Sequence, residues 1–204
     1  MPKYDDEGVM TGFTAIRQDI TDKKRIEELS ITDELTGLYN RRYFNRVLGD
    51  VFGRAKRDGK VFCFFIMDVD YFKKYNDTYG HFKGDETLKS IARIFKEHFK
   101  RFDDSGYRLG GEEFGGLFIA EADDQALAFT EQFKEAIEAE HISHKESDIS
   151  PYVTVSIGLL TIDFTQGNRT MEFESDHIYK RADDLLYQAK ASGRNRVVSA
   201  ALPT

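Results

Sequence analysis

Val61-Phe62-Cys63-Phe64-Phe65-Ile66-Met67-Asp68-Val69-Asp70 sets the centre of this chain. Its apolar part is unbroken from Val61 to Met67, the signature of a strand buried on both faces of a sheet. The strand then ends in Asp68 and Asp70. Buried carboxylates are costly unless partnered, so a core strand that ends in them points to a site. By itself, Asp-x-Asp also suits an ordinary strand-end turn. The second acidic cluster is Gly110-Gly111-Glu112-Glu113-Phe114. Tyr107 to Leu109 before it and Phe114 to Ile119 after it read as strands, which puts both glutamates at the tip of a hairpin. The two glycines allow positive φ and a close approach to a ligand. A solvated, charged turn is the plain alternative for an isolated Gly-Gly-Glu-Glu. Hard divalent cations such as Mg²⁺ take one or two carboxylates together with phosphate oxygens, so Asp68 and Glu112 become partners if their strands are neighbours.

Composition narrows the class. A chain of 204 residues allows one full domain with a sizeable core, and a small appendage beside it. The formal charge of -7 and a sequence pI near 5.3 disfavour a protein that coats nucleic acid, which needs a basic face. The phosphate ligand is expected to be small and metal-bridged. The single cysteine, Cys63, lies inside the apolar strand and has no partner for a disulfide, which fits a reducing cytoplasm. No apolar stretch approaches membrane-spanning length and no signal peptide is visible, so these residues are expected to be cytoplasmic and to make no membrane contact. Any anchor in a longer parent protein would lie outside them.

Coarse periodicity alternates helix and strand. Asn40 caps a helix running to about Asp58, with Tyr43, Phe44, Val47, Leu48, Val51 and Phe52 as one apolar stripe and Gly59 closing it. Strand 61–68 follows, then a helix from Asp85 to about Lys100, the hairpin 107–119 and a helix from Asp123 to about Ala139. Strand 152–162, a helix over about 176–192 and a short strand at 196–198 complete the pattern. This α/β (α+β) order of strand, helix, two hairpin strands, helix and strand predicts the ferredoxin-like βαββαβ arrangement around an antiparallel central sheet.

Between strand 61–68 and the helix at Asp85, residues Tyr71 to Asp85 read as a loop dense in polar groups. It offers cations for phosphate, an amide and a carboxylate for base edges, and glycines for tight bends. Asp68-x-Asp70-x-Phe72-Lys73-x-x-Asn76-Asp77, Gly80-His81-x-x-Gly84-Asp85 and Arg108-x-Gly110-Gly111-Glu112-Glu113-Phe114 resemble the GGDEF domain of diguanylate cyclases. Three further stretches extend the resemblance to about Ile31 through Val198. They are Asp33-x-Leu35-Thr36-Gly37-Leu38-x-Asn40-Arg41-Arg42, Val153-Thr154-Val155-Ser156-Ile157-Gly158, and Ala182-Asp183-x-x-Leu186-Tyr187-x-Ala189-Lys190-x-x-Gly193-Arg194-Asn195.

The resemblance implies a palm-type nucleotidyl cyclase that joins two GTP into cyclic di-GMP and releases two pyrophosphates. It implies that Asp68, Glu112 and the Val69 carbonyl hold a pair of Mg²⁺ ions, with Mn²⁺ as an alternative. Glu112, Glu113, Lys73 and Asp70 would form the catalytic set. Phe72, Lys73, Gly110, Gly111, Lys190 and Arg194 would meet the nucleotide and its phosphates, and Asn76 and Asp85 would read guanine, because a carboxylate beside an amide rejects adenine. Arg101-Phe102-Asp103-Asp104 reproduces the family's Arg-x-x-Asp inhibitory motif, so Arg101 and Asp104 would bind cyclic di-GMP as feedback. Two nucleotides attacking each other require two domains face to face, hence a homodimer. A catalytically silent module that binds GTP or cyclic di-GMP, and a scaffold acting through its N-terminal helix, are the other classes.

Residues 1–30 read differently from 31–204. Gly8 to Thr21 resembles the last strand and exit motif of a PAS sensor domain, and Asp22 to Leu29 is charged and helix-prone, with Ile26 and Leu29 spaced for a short interhelical seam. The expected role is a signalling helix between an upstream sensor and the cyclase domain.

Overall fold

The computed structural model describes residues 2–13, 31–167 and 172–202. The chain divides into two units, residues 1–30 and 31–204. In the first, β1 (Pro2–Tyr4) and β2 (Met10–Phe13) pair antiparallel. Their connection is held by Asp5 Oδ1, which accepts from the backbone N–H of Glu7 at 3.1 Å and of Val9 at 2.8 Å. The strand expected there is therefore present, whereas the exit motif after Phe13 and the helix expected from Asp22 to Leu29 lie outside the described residues.

The second unit is built on six strands in the order β3 (Tyr39–Asn40), β5 (Ser105–Gly110), β6 (Glu113–Ala120), β4 (Val61–Val69), β7 (Val155–Asp163) and β8 (Val197–Leu202). The four central strands are antiparallel neighbours, and β3 and β8 add to the edges in parallel. The expected βαββαβ order is present. Period-two alternation along β4 divides the core. Cys63, Phe65 and Met67 face α3 (His81–His98) and α4 (Asp123–Glu138), where Leu88, Ile91, Phe95 and Phe133 are buried. Phe62, Phe64 and Ile66 face α1 (Arg41–Asp58) and α5 (Ser175–Ala191), where Phe44, Leu48, Ile178 and Leu185 are buried. Each fully buried aromatic or leucine contributes on the order of 1.5–3 kcal/mol, so β4 is held from both sides and its C-terminal end is a rigid platform. Asn40 caps α1 by accepting from the Tyr43 N–H at 3.0 Å, and Gly59 closes the helix in the left-handed region.

The polar run 71–85 is not a loop. It forms α2 (Phe72–Tyr79) and the first turn of α3, which begins at His81 and not at Asp85. Phe72 and Tyr75 are the reason: they sit at helical spacing and drive one face of α2 into the core, a short apolar stripe hidden among Lys73, Lys74, Asn76 and Asp77. Strand β7 starts at Val155, not at Tyr152, because Tyr152 bridges only to Ser143. Strand β8 runs on to Leu202, beyond the expected 198, by pairing with β7 along its length. Among the described residues no helix is long and apolar enough to cross a membrane.

Candidate functional site

The hairpin tip is tighter than its sequence suggests. Gly110 pairs with Glu113, leaving Gly111 and Glu112 as the turn, and the register shifts between Arg108 and Gly110. Of the two glycines only Gly111 adopts positive φ, at 46°. A Cβ on either would meet nothing within 4 Å, so the space above the tip is open. Arg108 braces the tip from below, donating through Nε to the Gly111 carbonyl at 2.9 Å and through its terminal nitrogen to both Asp33 oxygens at 3.1 and 3.2 Å. Burial pushes the Asp33 carboxyl up, but the Thr36 hydroxyl and N–H and the Arg108 guanidinium outweigh it and hold the group below the usual carboxylate range. The sequence places Asp33 and Arg108 in separate motifs; their pairing appears only in the fold.

Strand register brings the two acidic clusters together. Asp68 lies opposite Glu113 across β4 and β6, so their side chains share the sheet face that carries α5. From that helix Lys190 Nζ reaches Asp68 Oδ1 at 2.9 Å. An ion pair normally lowers an aspartate pKa, yet Asp68 is pushed up to about 6. Burial is the main cause; the Glu112 and Glu113 charges add to it, and Lys190 opposes it only in part. Three carboxylates, Asp68, Glu112 and Glu113, act on this end of the sheet, and a cation placed there would favour their charged forms. Among the described residues no three His, Cys, Asp or Glu side chains converge as a ready-made metal cluster. The groups gathered at this end of the sheet, the Asp68 and Glu113 carboxylates with backbone carbonyls beside them, are oxygen donors, the chemistry that suits a hard cation sharing its remaining positions with phosphate. Val69 itself is buried and has only its backbone to offer.

Asp70, expected in the catalytic set, is placed elsewhere. It is 1% exposed. Its oxygens accept from Ser156 Oγ at 2.7 Å, Thr154 Oγ1 at 2.8 Å and the Asn195 N–H at 3.1 Å. Those bonds engage both oxygens, so Asp70 ties the end of β4 to the start of β7 and to the turn after α5. The alternating polar positions Thr154 and Ser156 in an otherwise apolar strand are the signal in the sequence for this network.

On the polar segment that follows β4, α2 and α3 meet at Gly80. Lys73 is exposed in the first turn of α2. Phe72 is buried in the core, and the tip of its ring lies against Gly84, where a Cβ would stand 3.2 Å from it. Asn76 Oδ1 is buried and has no hydrogen-bond partner. Gly84 lies against it so closely that a Cβ there would stand 1.9 Å from that oxygen. A buried, unpartnered amide oxygen is costly, and a ligand donor would relieve it. Asp85 is exposed in the next residue of α3. Lys190 and Arg194 come from the end of α5, where Arg194 and Asn195 both take positive φ, 62° and 45°.

Arg101 and Asp104 lie at the other end of β5, roughly 17 Å from the tip at about 3.4 Å per residue. They line a cavity of about 40 Å³ with Phe118, Ala120, Gln125 and Phe129. That volume admits the edge of a ligand and no more. Asp104 Oδ2 accepts from the Arg101 N–H at 3.0 Å, closing the turn on itself. Burial holds the Asp104 carboxyl above its usual range.

Residues 30–196 match the family described as "Diguanylate cyclase, GGDEF domain". The chain belongs to that family. It is 39% identical over 166 residues to the probable diguanylate cyclase DgcT of Escherichia coli K12, covering 81% of this chain and 35% of DgcT. Over 174 residues it is 37% identical to the response regulator PleD of Caulobacter vibrioides, covering 85% of this chain and 37% of PleD. It thus spans little more than a third of the length of these curated relatives. Among solved structures, the coiled coil and GGDEF domain of DgcB from Caulobacter crescentus, in complex with c-di-GMP, superposes with a TM-score of 0.74 at 27% identity, covering 88% of this chain and 90% of that one.

Proposed function

We propose that this domain is a diguanylate cyclase that condenses two GTP into cyclic di-GMP and two pyrophosphates. The observation that carries the reading is Asp68: a carboxylate at the end of a buried strand, opposite Glu113 and 2.9 Å from Lys190. Asp68, Glu112 and the Val69 carbonyl would hold Mg²⁺, which supplies charge stabilisation to the transferring phosphoryl group and acidifies the attacking ribose 3′-hydroxyl. Lys190 and Arg194 would meet the triphosphate, with Lys73 beside them at the head of α2. Fixed cations there stabilise the charge that builds on the leaving pyrophosphate. Asn76 Oδ1, unpartnered in the protein, is free to accept from the guanine exocyclic amine, while Asp85 would accept from the guanine edge as well. Glu113, facing Asp68, suits either metal binding or removal of the hydroxyl proton. Asp70 acts by holding the turn that carries Arg194.

Incubation of purified protein with GTP and Mg²⁺ is expected to yield cyclic di-GMP, resolved by chromatography, and ATP in place of GTP is expected to yield no cyclic product. Binding of GTP without turnover would replace this reading with that of a silent receptor module.

A single domain offers one set of base and phosphate contacts, so an isologous pair of domains is needed to oppose two nucleotides. Initial velocity at saturating GTP is expected to rise faster than linearly with enzyme concentration, approaching second order when dilute. Strict proportionality from a protein shown to be monomeric throughout would contradict the paired mechanism. Residues 22–29 are the segment through which an upstream sensor would set that pairing, and a cytoplasmic location follows from the GTP requirement.

Arg101 and Asp104 are proposed as the product site, the guanidinium forking onto phosphate or the guanine edge. Arg101→Ala is expected to leave the uninhibited rate within about twofold and to weaken inhibition by added cyclic di-GMP at least ~10-fold, the loss of a charge-assisted contact. Equal inhibition of both proteins would remove Arg101 from the site.

A further inference from the structure

Tyr71 combines features that the reading above does not use. It is a non-glycine residue at φ 55°, in the left-handed region, at the N-cap of α2. Its side chain makes no capping bond. A tyrosine there carries backbone strain that a glycine would avoid. The ring is where the compensation lies. Arg194 holds its guanidinium carbon 4.5 Å from the ring centroid, and its terminal nitrogen lies 3.4 Å from the phenol oxygen. Lys74 Nζ also stands 4.5 Å from that centroid, and its charge is tied to Asp148 at 2.9 Å. Arg194 has no carboxylate partner among the described residues.

The two strained segments are fastened side by side. Asp70, just before Tyr71, accepts from the N–H of Asn195, just after Arg194. Asn195 is fixed further by its side-chain amide, which donates to Glu138 Oε2 at 2.9 Å. On the Tyr71 side, the carbonyl accepts from the Tyr75 N–H at 3.0 Å and lies 3.3 Å from His144 Nε2. Residues 70–71 and 194–195 thus form one clasp in which an N–H-to-carboxylate bond and a ring-to-cation contact repeat each other.

We propose that Tyr71 is a positioning residue for the triphosphate, holding the Arg194 guanidinium over its ring at the mouth of the site. The proposal rests on the assignment of Arg194 to the phosphates. Apart from the one N–H directed at the phenol oxygen, a guanidinium kept over an aromatic face retains its N–H groups for an incoming phosphate, whereas a carboxylate partner would occupy them and cancel the charge. Preordering also removes part of the side-chain entropy that a long, free arginine loses when it grips a ligand.

The test is a double-mutant cycle read by calorimetric affinity for a non-hydrolysable GTP analogue in Mg²⁺, which needs no turnover. Tyr71→Gly is the informative variant, since glycine accepts φ 55° without strain and any loss belongs to the ring. It is expected to weaken binding about five- to tenfold, while Tyr71→Phe, which keeps the ring face, recovers most of the affinity. Arg194→Ala is expected to weaken binding at least as much, and adding Tyr71→Gly to it is expected to cost less than about twofold more. Melting curves for each variant show that the fold persists; if Tyr71→Gly fails to fold, Tyr71→Leu takes its place in the cycle. Wild-type affinity in Tyr71→Gly, or full additivity with Arg194→Ala, would overturn the proposal. A parent protein that binds the analogue with the expected coupling but makes no cyclic di-GMP would sink the cyclase reading and leave this one standing; a parent that does not bind it sinks both.

Discussion

Replacing Glu112 with alanine is expected to lower cyclic di-GMP formation by at least ~10²-fold and to move the melting temperature by less than about 2 °C. Glu112 sits in the turn of the β5–β6 hairpin, outside the ladder that begins at Glu113, and packs into neither core cluster. Its removal costs the fold little. The electrostatic cost falls on the site, where burial pushes the Asp68 carboxyl up to about 6 and the Glu112 charge adds a smaller push in the same direction. Losing a carboxylate that stabilises a developing phosphoryl charge is worth ~3 kcal/mol or more in the transition state, hence the size of the effect. Turnover of GTP and thermal unfolding measured on the same preparation separate the two consequences. Activity within threefold of the parent would remove Glu112 from the metal site; a large fall in melting temperature would make its role structural.

The opposite pattern is expected at Gly158. This residue lies in the middle of β7, paired with Ile66 on one side and Val198 on the other. A Cβ there would stand 2.3 Å from the Ala182 carbonyl oxygen and 2.3 Å from the Leu186 nitrogen. Those are backbone atoms of α5, so no rotamer change relieves the clash and the helix itself must move away from the sheet. Gly158→Ala is expected to destabilise the domain by ~3 kcal/mol or more, which for a domain of this size lowers the melting temperature by roughly 6–12 °C. Turnover is expected to fall as well, because α5 carries Lys190 to Asp68. A variant that melts with the parent would show that α5 does not pack against β7 as described.

Much of the scaffold is legible in the chain. The unbroken run Val61–Met67 can only be a strand covered on both faces, and the apolar stripe from Phe44 to Phe52 can only be a helix on one of them. The sequence also pointed to the chemistry on offer, because an acid that follows a buried strand or rides a hairpin tip needs a partner, which for Asp70 proved to be the protein itself. Helix α2 was not legible, since three aromatic residues among five polar ones leave too short a stripe for periodicity to register. Nor were the pairings. Asp68 with Glu113 follows from the β4–β6 register, Asp68 with Lys190 from the docking of α5, and Asp33 with Arg108 from the parallel edge strand β3. The difference between Asp68 and Asp70 is the sharpest case. Two residues apart and with the same side chain, one has its carboxyl pushed up by burial and is met by Lys190 alone, and the other has both oxygens engaged by Thr154, Ser156 and Asn195. Local sequence specifies which residues are charged and which elements they ride on; only long-range pairing decides which of those charges find a partner in the protein and which remain available to a ligand.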